Sequence, residues 1–144
     1  MSFSRRDCCL WMLPALLAKA QTAAKVPLPS KAYRFEDLPV RTNEQTKNTS
    51  RAVLDGETHD GFAVEAHETT LSPGSSPHPP HRHVHEEMFL VREGSLDATI
   101  SGRTTRLGPG SVAFVASNEE HGVRNPGTSP AEYFVVALGA KKPA

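Results

Sequence analysis

The sequence has few cysteines and no excess of charge of either sign. Its 144 residues include two cysteines, Cys8 and Cys9, and adjacent cysteines are poorly placed for a structural disulfide. Lysine plus arginine and aspartate plus glutamate both total 16, so the formal net charge is zero. This balance excludes the strongly basic surface of a general nucleic-acid binder, and we expect no nucleic-acid partner. The length fits a single domain.

The sequence also lacks an apolar run long enough to cross a bilayer. Residues 8–18 form an apolar stretch of 11 residues, whereas a transmembrane helix needs about 20. The stretch follows Arg5-Arg6 and precedes Ala18-Lys19-Ala20, which has small residues at the two positions that a signal peptidase reads. We therefore predict that residues 1–20 are a signal peptide, and Ser4-Arg5-Arg6 resembles the start of a twin-arginine signal. A frayed cytosolic N-terminus is the alternative.

The predicted cleavage before Gln21 has consequences for chemistry and location. Both cysteines precede that position, so the mature chain would contain no thiol and no disulfide. Catalysis by a nucleophilic cysteine is thereby excluded. We expect the mature protein to be periplasmic or secreted, with no membrane partner after cleavage.

After the predicted signal peptide, a polar arm precedes a region of short apolar runs. Residues 21–51 are polar and aperiodic, and we predict a linker and N-terminal arm with one short strand near residues 33–35. From residue 52 onward no stretch has a sustained 3.6-residue period. Residues 62–71 mostly alternate, and apolar runs cover residues 88–91, 111–116 and 133–138. Residues 96–100 and 103–107 flank Ser101-Gly102, which is typical of a hairpin turn. About eight short strands at this spacing predict an all-β antiparallel barrel or jelly roll over residues 52–138, with a tail at 139–144.

The candidate functional residues are the histidines, four of which lie within residues 78–85. The chain has no phosphate-binding loop and no GxSxG motif that would point to another kind of site. On an extended chain alternate side chains share a face, so His81, His83, His85 and Glu87 have one parity, which the apolar Phe89 continues. Imidazoles and a carboxylate are costly on an apolar interior face unless they are satisfied. One bound cation would satisfy them together, and these donors suit Zn, Fe, Ni, Cu or Mn. A solvated His-rich loop is the alternative for this cluster taken alone.

Two glycine-containing segments show regular spacing around these histidines. In the first, six residues separate Gly74 from His81-Arg82-His83, three more precede Glu87, and six more precede Gly94. In the second, five residues separate Gly110 from Ala116-Ser117-Asn118, two more precede His121, and three more precede Asn125. The two segments resemble the two sequence motifs of the cupin superfamily, and the 15 residues between them match the short spacing of microbial members.

The second motif departs from the cupin pattern at two positions. Ala116 stands where the motif has proline, and Asn118 stands where it has glycine. Asparagine is the residue other than glycine that best tolerates a positive φ, so we expect the turn to form. Neither departure falls on a position that binds metal in the family.

The resemblance implies a cupin double-stranded β-helix, a jelly-roll-like barrel, that carries one divalent metal ion (Fe, Mn, Ni, Cu or Zn). The implied ligands are His81, His83, Glu87 and His121. Such a set leaves coordination positions open, as catalytic sites do. The implied function is a metalloenzyme of the dioxygenase or isomerase kind with a small-molecule substrate, in which Glu87 is either a ligand or a catalytic base. A non-catalytic metal- or ligand-binding module of the cell envelope is the alternative, and a purely structural cupin is a third possibility.

Three other histidines lie outside the implied ligand set. The spacing of the first motif leaves out His85, which we expect at the mouth of the barrel or turned away by local twist. His78 is expected to be a solvated loop residue. His67 lies on a predicted strand and either lines the cavity or occupies an edge position.

One predicted strand bears on the oligomeric state. Residues 88–91 are apolar on both faces, so Met88 and Leu90 need a cover outside the barrel. The cover could be another sheet, the N-terminal arm or a second subunit. Because single-domain cupins commonly dimerise, we expect a homodimer.

Overall fold

The computed structural model describes residues 27–139, and this part of the chain is all-β. Its elements are a 3-10 helix at Phe35–Asp37 and nine strands: β1 Val40–Thr42, β2 Thr49–Glu57, β3 Ala63–Leu71, β4 Glu86–Glu93, β5 Leu96–Ile100, β6 Arg103–Leu107, β7 Val112–Val115, β8 His121–Arg124 and β9 Ala131–Leu138. Among the described residues no helix is long and apolar enough to span a membrane. The predicted signal peptide, residues 1–20, lies outside the described residues, as does the predicted tail after residue 139.

The strands form two antiparallel sheets that enclose one apolar core. The larger sheet has the order β1-β2-β3-β9-β4-β7, and the smaller has the order β6-β5-β8. Leu71, Phe89 and Tyr133 of the larger sheet share a buried cluster with Leu96 and Val123 of the smaller one. Strands distant in sequence pair with each other, as β9 does with both β3 and β4. The predicted all-β antiparallel barrel is confirmed.

The register of the larger sheet arranges its inward side chains in rows. Residues directly opposite each other on neighbouring strands share a face, and so do residues two apart along one strand. Three inward rows run across β4, β9 and β3: Glu87–Ala137–Glu65, Phe89–Val135–His67 and Val91–Tyr133–Thr69. The row that contains Glu87 and Glu65 is polar, and the two rows beyond it along the strands are largely apolar.

Two turns adopt the conformations that the sequence predicts. Ser101 and Gly102 have φ values of 47° and 78°, and they join β5 to β6 in the register expected of a two-residue hairpin. Asn118 has a φ of 63°, so asparagine does replace the glycine of the motif in this turn.

The N-terminal arm differs from its prediction. The prediction of a strand near residues 33–35 is wrong: residues 33 and 34 belong to no strand, and Phe35 begins the 3-10 helix Phe35–Asp37. The arm instead supplies β1, which pairs with the first residues of β2, and β2 begins at Thr49, inside the segment predicted as linker. The side chains of β1 are exposed and those of β2 are only partly buried, so neither strand shows the apolar alternation on which sequence analysis depends.

Candidate metal centre

The four predicted ligands converge where the two sheets meet. His81 and His121 form an isolated antiparallel bridge, in which each backbone N–H donates to the other residue's carbonyl at 3.0 Å. Since His121 opens β8, this bridge attaches the loop before β4 to the smaller sheet. Glu87 lies near the start of β4 in the larger sheet, and His83 lies in the loop between the bridge and β4. The ring nitrogens of His81, His83 and His121 lie within 4.8 Å of one another.

Two of these imidazoles are fixed in one tautomer by backbone carbonyls. The Nδ1 atom of His121 lies 2.9 Å from the carbonyl oxygen of Glu119, and the Nδ1 atom of His83 lies 2.8 Å from that of His85. A carbonyl only accepts, so each Nδ1 must carry the hydrogen and donate it. In the neutral ring the lone pair is then on Nε2, the arrangement typical of metal-binding histidines.

Both Nε2 atoms face the carboxylate of Glu87. The Nε2 of His83 lies 3.2 Å from Oε1, and the Nε2 of His121 lies 3.3 Å from Oε2. Both nitrogens are buried, yet neither has a partner in hydrogen-bond geometry among residues 27–139. Electron-rich atoms held this close in a buried site need a positive charge between them. Neither contact has the alignment that a hydrogen bond between nitrogen and oxygen requires.

His81 belongs to the same cluster and is held neutral by its surroundings. Burial is the largest cause that lowers the pKa of His81, and the neighbouring histidines His78, His121 and His83 lower it further. Its Nδ1 atom is buried and also without a hydrogen-bond partner in the described part of the chain. A neutral imidazole is the form that coordinates a metal.

Of the two placements expected for His85, at the mouth of the barrel or turned away by local twist, the second is wrong. Its ring stacks on that of His83 with centroids 3.5 Å apart, and its Nε2 lies 3.2 Å from Oε1 of Glu87 in hydrogen-bond geometry. His85 has the parity of Glu87, and only the spacing of the first motif had set it apart from the ligands. His83, His85 and Glu87 form a second group of potential ligands that overlaps the first.

The remaining histidines near the centre occupy its surroundings. His78 is exposed, as expected, and its ring meets that of His81 edge-on with centroids 4.2 Å apart. His67 lines a cavity, which is one of the two placements expected for it. Its Nδ1 lies 2.8 Å from Oε1 of Glu65 on the same strand.

Two cavities border the cluster on different sides. One has a volume of about 530 Å³ and is bounded by Glu87 and His121 together with Phe89, Val135 and Tyr133. The other, of about 760 Å³, is bounded by His83 and His85. Burial raises the pKa of Tyr133, so its phenol remains a neutral O–H group in the wall of the first cavity.

Sequence analysis missed several polar residues of the first cavity, among them Arg41 and Tyr133. Tyr133 has the same parity as Val135 on β9, and that signal could have placed it on the inner face. Arg41 had no comparable signal, because β1 was taken for part of a linker. Asn125, the last residue of the second motif, is fully buried and donates from Nδ2 to the carbonyls of Leu71 and Ser129, so its role is structural.

Comparisons with known proteins agree with this architecture. A family model described as a cupin domain matches residues 67–137. An RmlC-like cupin from Shewanella frigidimarina superposes with a TM-score of 0.63 at 19% identity, over 78% of this chain and 95% of that one. The polyketide cyclase RemF from Streptomyces resistomycificus is 30% identical and has a TM-score of 0.61, over 80% of this chain and 83% of its own. The chain belongs to the cupin superfamily.

This cupin also resembles curated enzymes over part of its length. It is 35% identical over 63 residues to an L-ectoine synthase from Bordetella parapertussis. The match covers 43% of the cupin and 48% of that enzyme, so the cupin spans about half the length of the curated relatives it matches. Membership of the superfamily confirms the jelly-roll-like fold that the two motifs imply.

Proposed function

We propose that this cupin binds one divalent metal ion through His81, His83, Glu87 and His121 and acts on a small molecule in the adjoining cavity. The observation that carries the proposal is the pair of buried Nε2 atoms that face both oxygens of Glu87 without hydrogen-bond geometry. A proton between nitrogen and oxygen would favour a linear hydrogen bond, whereas a cation accepts several atoms that converge on it.

The geometry supports Glu87 as a ligand rather than as a mobile base. Its two oxygens are engaged from different sides, Oε1 by His83 and His85 and Oε2 by His121. The hydrogen bond from His85 orients the carboxylate, as residues around a metal commonly do for its ligands. His85 is then a positioning residue for Glu87, a role that the motif spacing did not indicate.

The bound ion would supply Lewis-acid or redox chemistry to a substrate oxygen in the cavity. The protein supplies a wall that excludes water, in which Phe89 lies between His121 and Tyr133 at ring distances of 6.1 and 6.0 Å. Of the two reaction classes that the sequence leaves open, redox-neutral chemistry of the isomerase kind is favoured. The relative that is 30% identical over 80% of this chain is named as a cyclase, and ring closure requires no external oxidant.

Metal analysis of the purified protein and two variants tests the proposal. We expect about one equivalent of metal in the wild type and less than a tenth of that in Glu87→Ala and His121→Ala. His59→Ala is the matched control, because His59 lies in an exposed turn, and it should retain the metal. A folded wild type that takes up no Fe, Mn, Ni, Cu or Zn would refute the four-ligand site. A loaded protein that binds small molecules without converting them would favour the non-catalytic binding module.

A further inference from the structure

The cavity beside Glu87 contains an arginine that no carboxylate in the described part of the chain neutralises. Its lining includes one arginine, Arg41, and one carboxylate, Glu87; its other titratable groups are three histidines and Tyr133. Glu87 is already engaged by three imidazoles, so it does not neutralise Arg41. No Asp or Glu of residues 27–139 lies within 4.0 Å of the Arg41 guanidinium, whereas Arg51, Arg92 and Arg106 each have such a partner. The cavity therefore contains an unpaired cation.

The register of the sheet places Arg41 opposite the metal centre. Arg41 on β1 pairs with Ser50, which pairs with Thr69, which pairs with Tyr133. These four residues form one inward row, and the row of Glu87 lies two rows away along the strands. Four residues of strand separate the two rows, about 13 Å along the strand direction, and β1 lies four strands from β4 across the sheet. The intervening row presents Phe89 and Val135, which are both buried and apolar.

This arrangement matches an elongated ligand with different chemistry at its two ends. We propose that the cavity takes small carboxylic acids with an apolar or aromatic body, whose carboxylate pairs with Arg41. The body lies against Phe89 and Val135, on the side of the cavity that faces the histidine cluster. A planar guanidinium can donate two parallel hydrogen bonds to a carboxylate, which an amide or alcohol cannot match. A divalent ion on the cluster, which rests on the proposed function, would add positive potential and strengthen the preference for anions.

Matched pairs of acids and amides test the inference. The probes are benzoate, phenylacetate and 3-phenylpropionate, each compared with its primary amide, on the zinc-loaded full chain by calorimetry. We expect at least one acid to bind about five- to tenfold more tightly than its amide, a modest factor because Arg41 is exposed. Arg41→Gln should remove most of that preference and leave only the part due to the zinc ion, and Arg41→Lys should restore part of what is lost.

Arg103→Gln is the control for loss of one positive charge. Arg103 is also exposed and without an ion pair in the described residues, but it lies on β6 and lines a different cavity. Equal binding of acid and amide by the wild type, or an equal loss in Arg41→Gln and Arg103→Gln, would overturn the inference. Zinc content measured on the same samples separates it from the proposed function. An Arg41-dependent preference that persists in zinc-free Glu87→Ala would support the acid site while contradicting the role of the metal.

Discussion

Glu68 is a single buried carboxylate whose position should make stability depend on pH. It is fully buried on β3, where Oε1 accepts a hydrogen bond from Thr70 and Oε2 lies 3.8 Å from the Nε of Arg51. Burial raises its pKa above the ordinary value of 4.5; Glu132 adds to the increase, while Arg51 and Arg92 oppose it. The folded state therefore holds this proton to higher pH than the unfolded state does. The stabilisation is complete below about pH 4.5 and is lost as the pH rises through the raised pKa.

Replacing Glu68 by glutamine should remove that pH dependence. Glutamine keeps the acceptor for Thr70 but cannot ionise, so Glu68→Gln should lose less stability than the wild type between pH 4.5 and 7. Urea unfolding at both pH values measures the difference. Glu44→Gln is the control, because Glu44 is 81% exposed and should leave the wild-type difference unchanged. Parallel loss of stability in wild type and Glu68→Gln would contradict the assignment.

Gly94 is required for two separable reasons, a positive φ and a close approach. Its φ is 72°, and a Cβ there would lie 2.7 Å from the carbonyl oxygen of Pro130. We expect Gly94→Ala to cost about 1 kcal/mol for the backbone and about 1–3 kcal/mol more for the clash. Gly61→Ala measures the backbone cost alone, since Gly61 also has a positive φ, 81°, but has open space where the Cβ would lie. Equal free energies of unfolding for the two variants would show that the clash is relieved at no cost.

At the scale of elements, the sequence predicted β4 well, but it missed β8, which begins at His121, and it described the loop before β4 poorly. The parity of β4 places Glu87 and Phe89 on the inner face because Glu86–Glu93 is a regular strand. Parity also groups His85 with Glu87, and the misleading signal was the motif spacing, which left His85 out. The loop itself is shaped by the His81–His121 bridge, a contact between residues 40 positions apart. The motif resemblance implied that His81 and His121 share a metal, but nothing in the sequence predicted that their backbones pair. Residue patterns within one segment cannot show a contact that depends on another segment.

The N-terminal arm is attached to the outside of the larger sheet by Phe35. Its ring lies between the guanidinium groups of Arg51 and Arg92, at 4.6 and 4.5 Å from the ring centroid. Phe35→Leu keeps an apolar side chain but removes the cation–π contacts, so we expect the arm to detach more readily, with about 1 kcal/mol lost. Faster proteolytic cleavage between residues 27 and 39 would measure this. Tyr33→Leu should have a smaller effect, because the cation above Tyr33 is Lys31 of the arm itself. Equal cleavage rates for the two variants would contradict the role of Phe35.

At the scale of the whole molecule, strand spacing and the two motifs predicted the barrel, and the arm was the main error. The runs at residues 96–100 and 103–107 match β5 and β6 to the residue, because a short hairpin with alternating faces is specified locally. The exposed β1 has no apolar signal, and pairing with β2 through the backbone alone places it in the sheet. Arg41, which faces the cavity from β1, was missed for the same reason.

The outer face of the larger sheet has an apolar area that the described part of the arm leaves open. Leu90 on β4 is 45% exposed, and beside it on β7 Val112 and Phe114 are 51% and 52% exposed. On the same outer face the apolar area extends from β4 to the neighbouring strand β9, because Leu90 also pairs with Phe134. Grouped exposure of large apolar side chains on one sheet face is typical of an interface.

The homodimer expected from residues 88–91 would cover this area. Because a two-fold dimer buries the same patch on both subunits, one charged substitution introduces two buried charges. We therefore expect light scattering to give twice the chain mass for the wild type and the single-chain mass for Phe114→Arg. Phe62→Arg is the control, since Phe62 is 64% exposed but lies in the turn between β2 and β3, and it should remain dimeric. A monomeric wild type, or dissociation of both variants alike, would show that this face does not join two subunits.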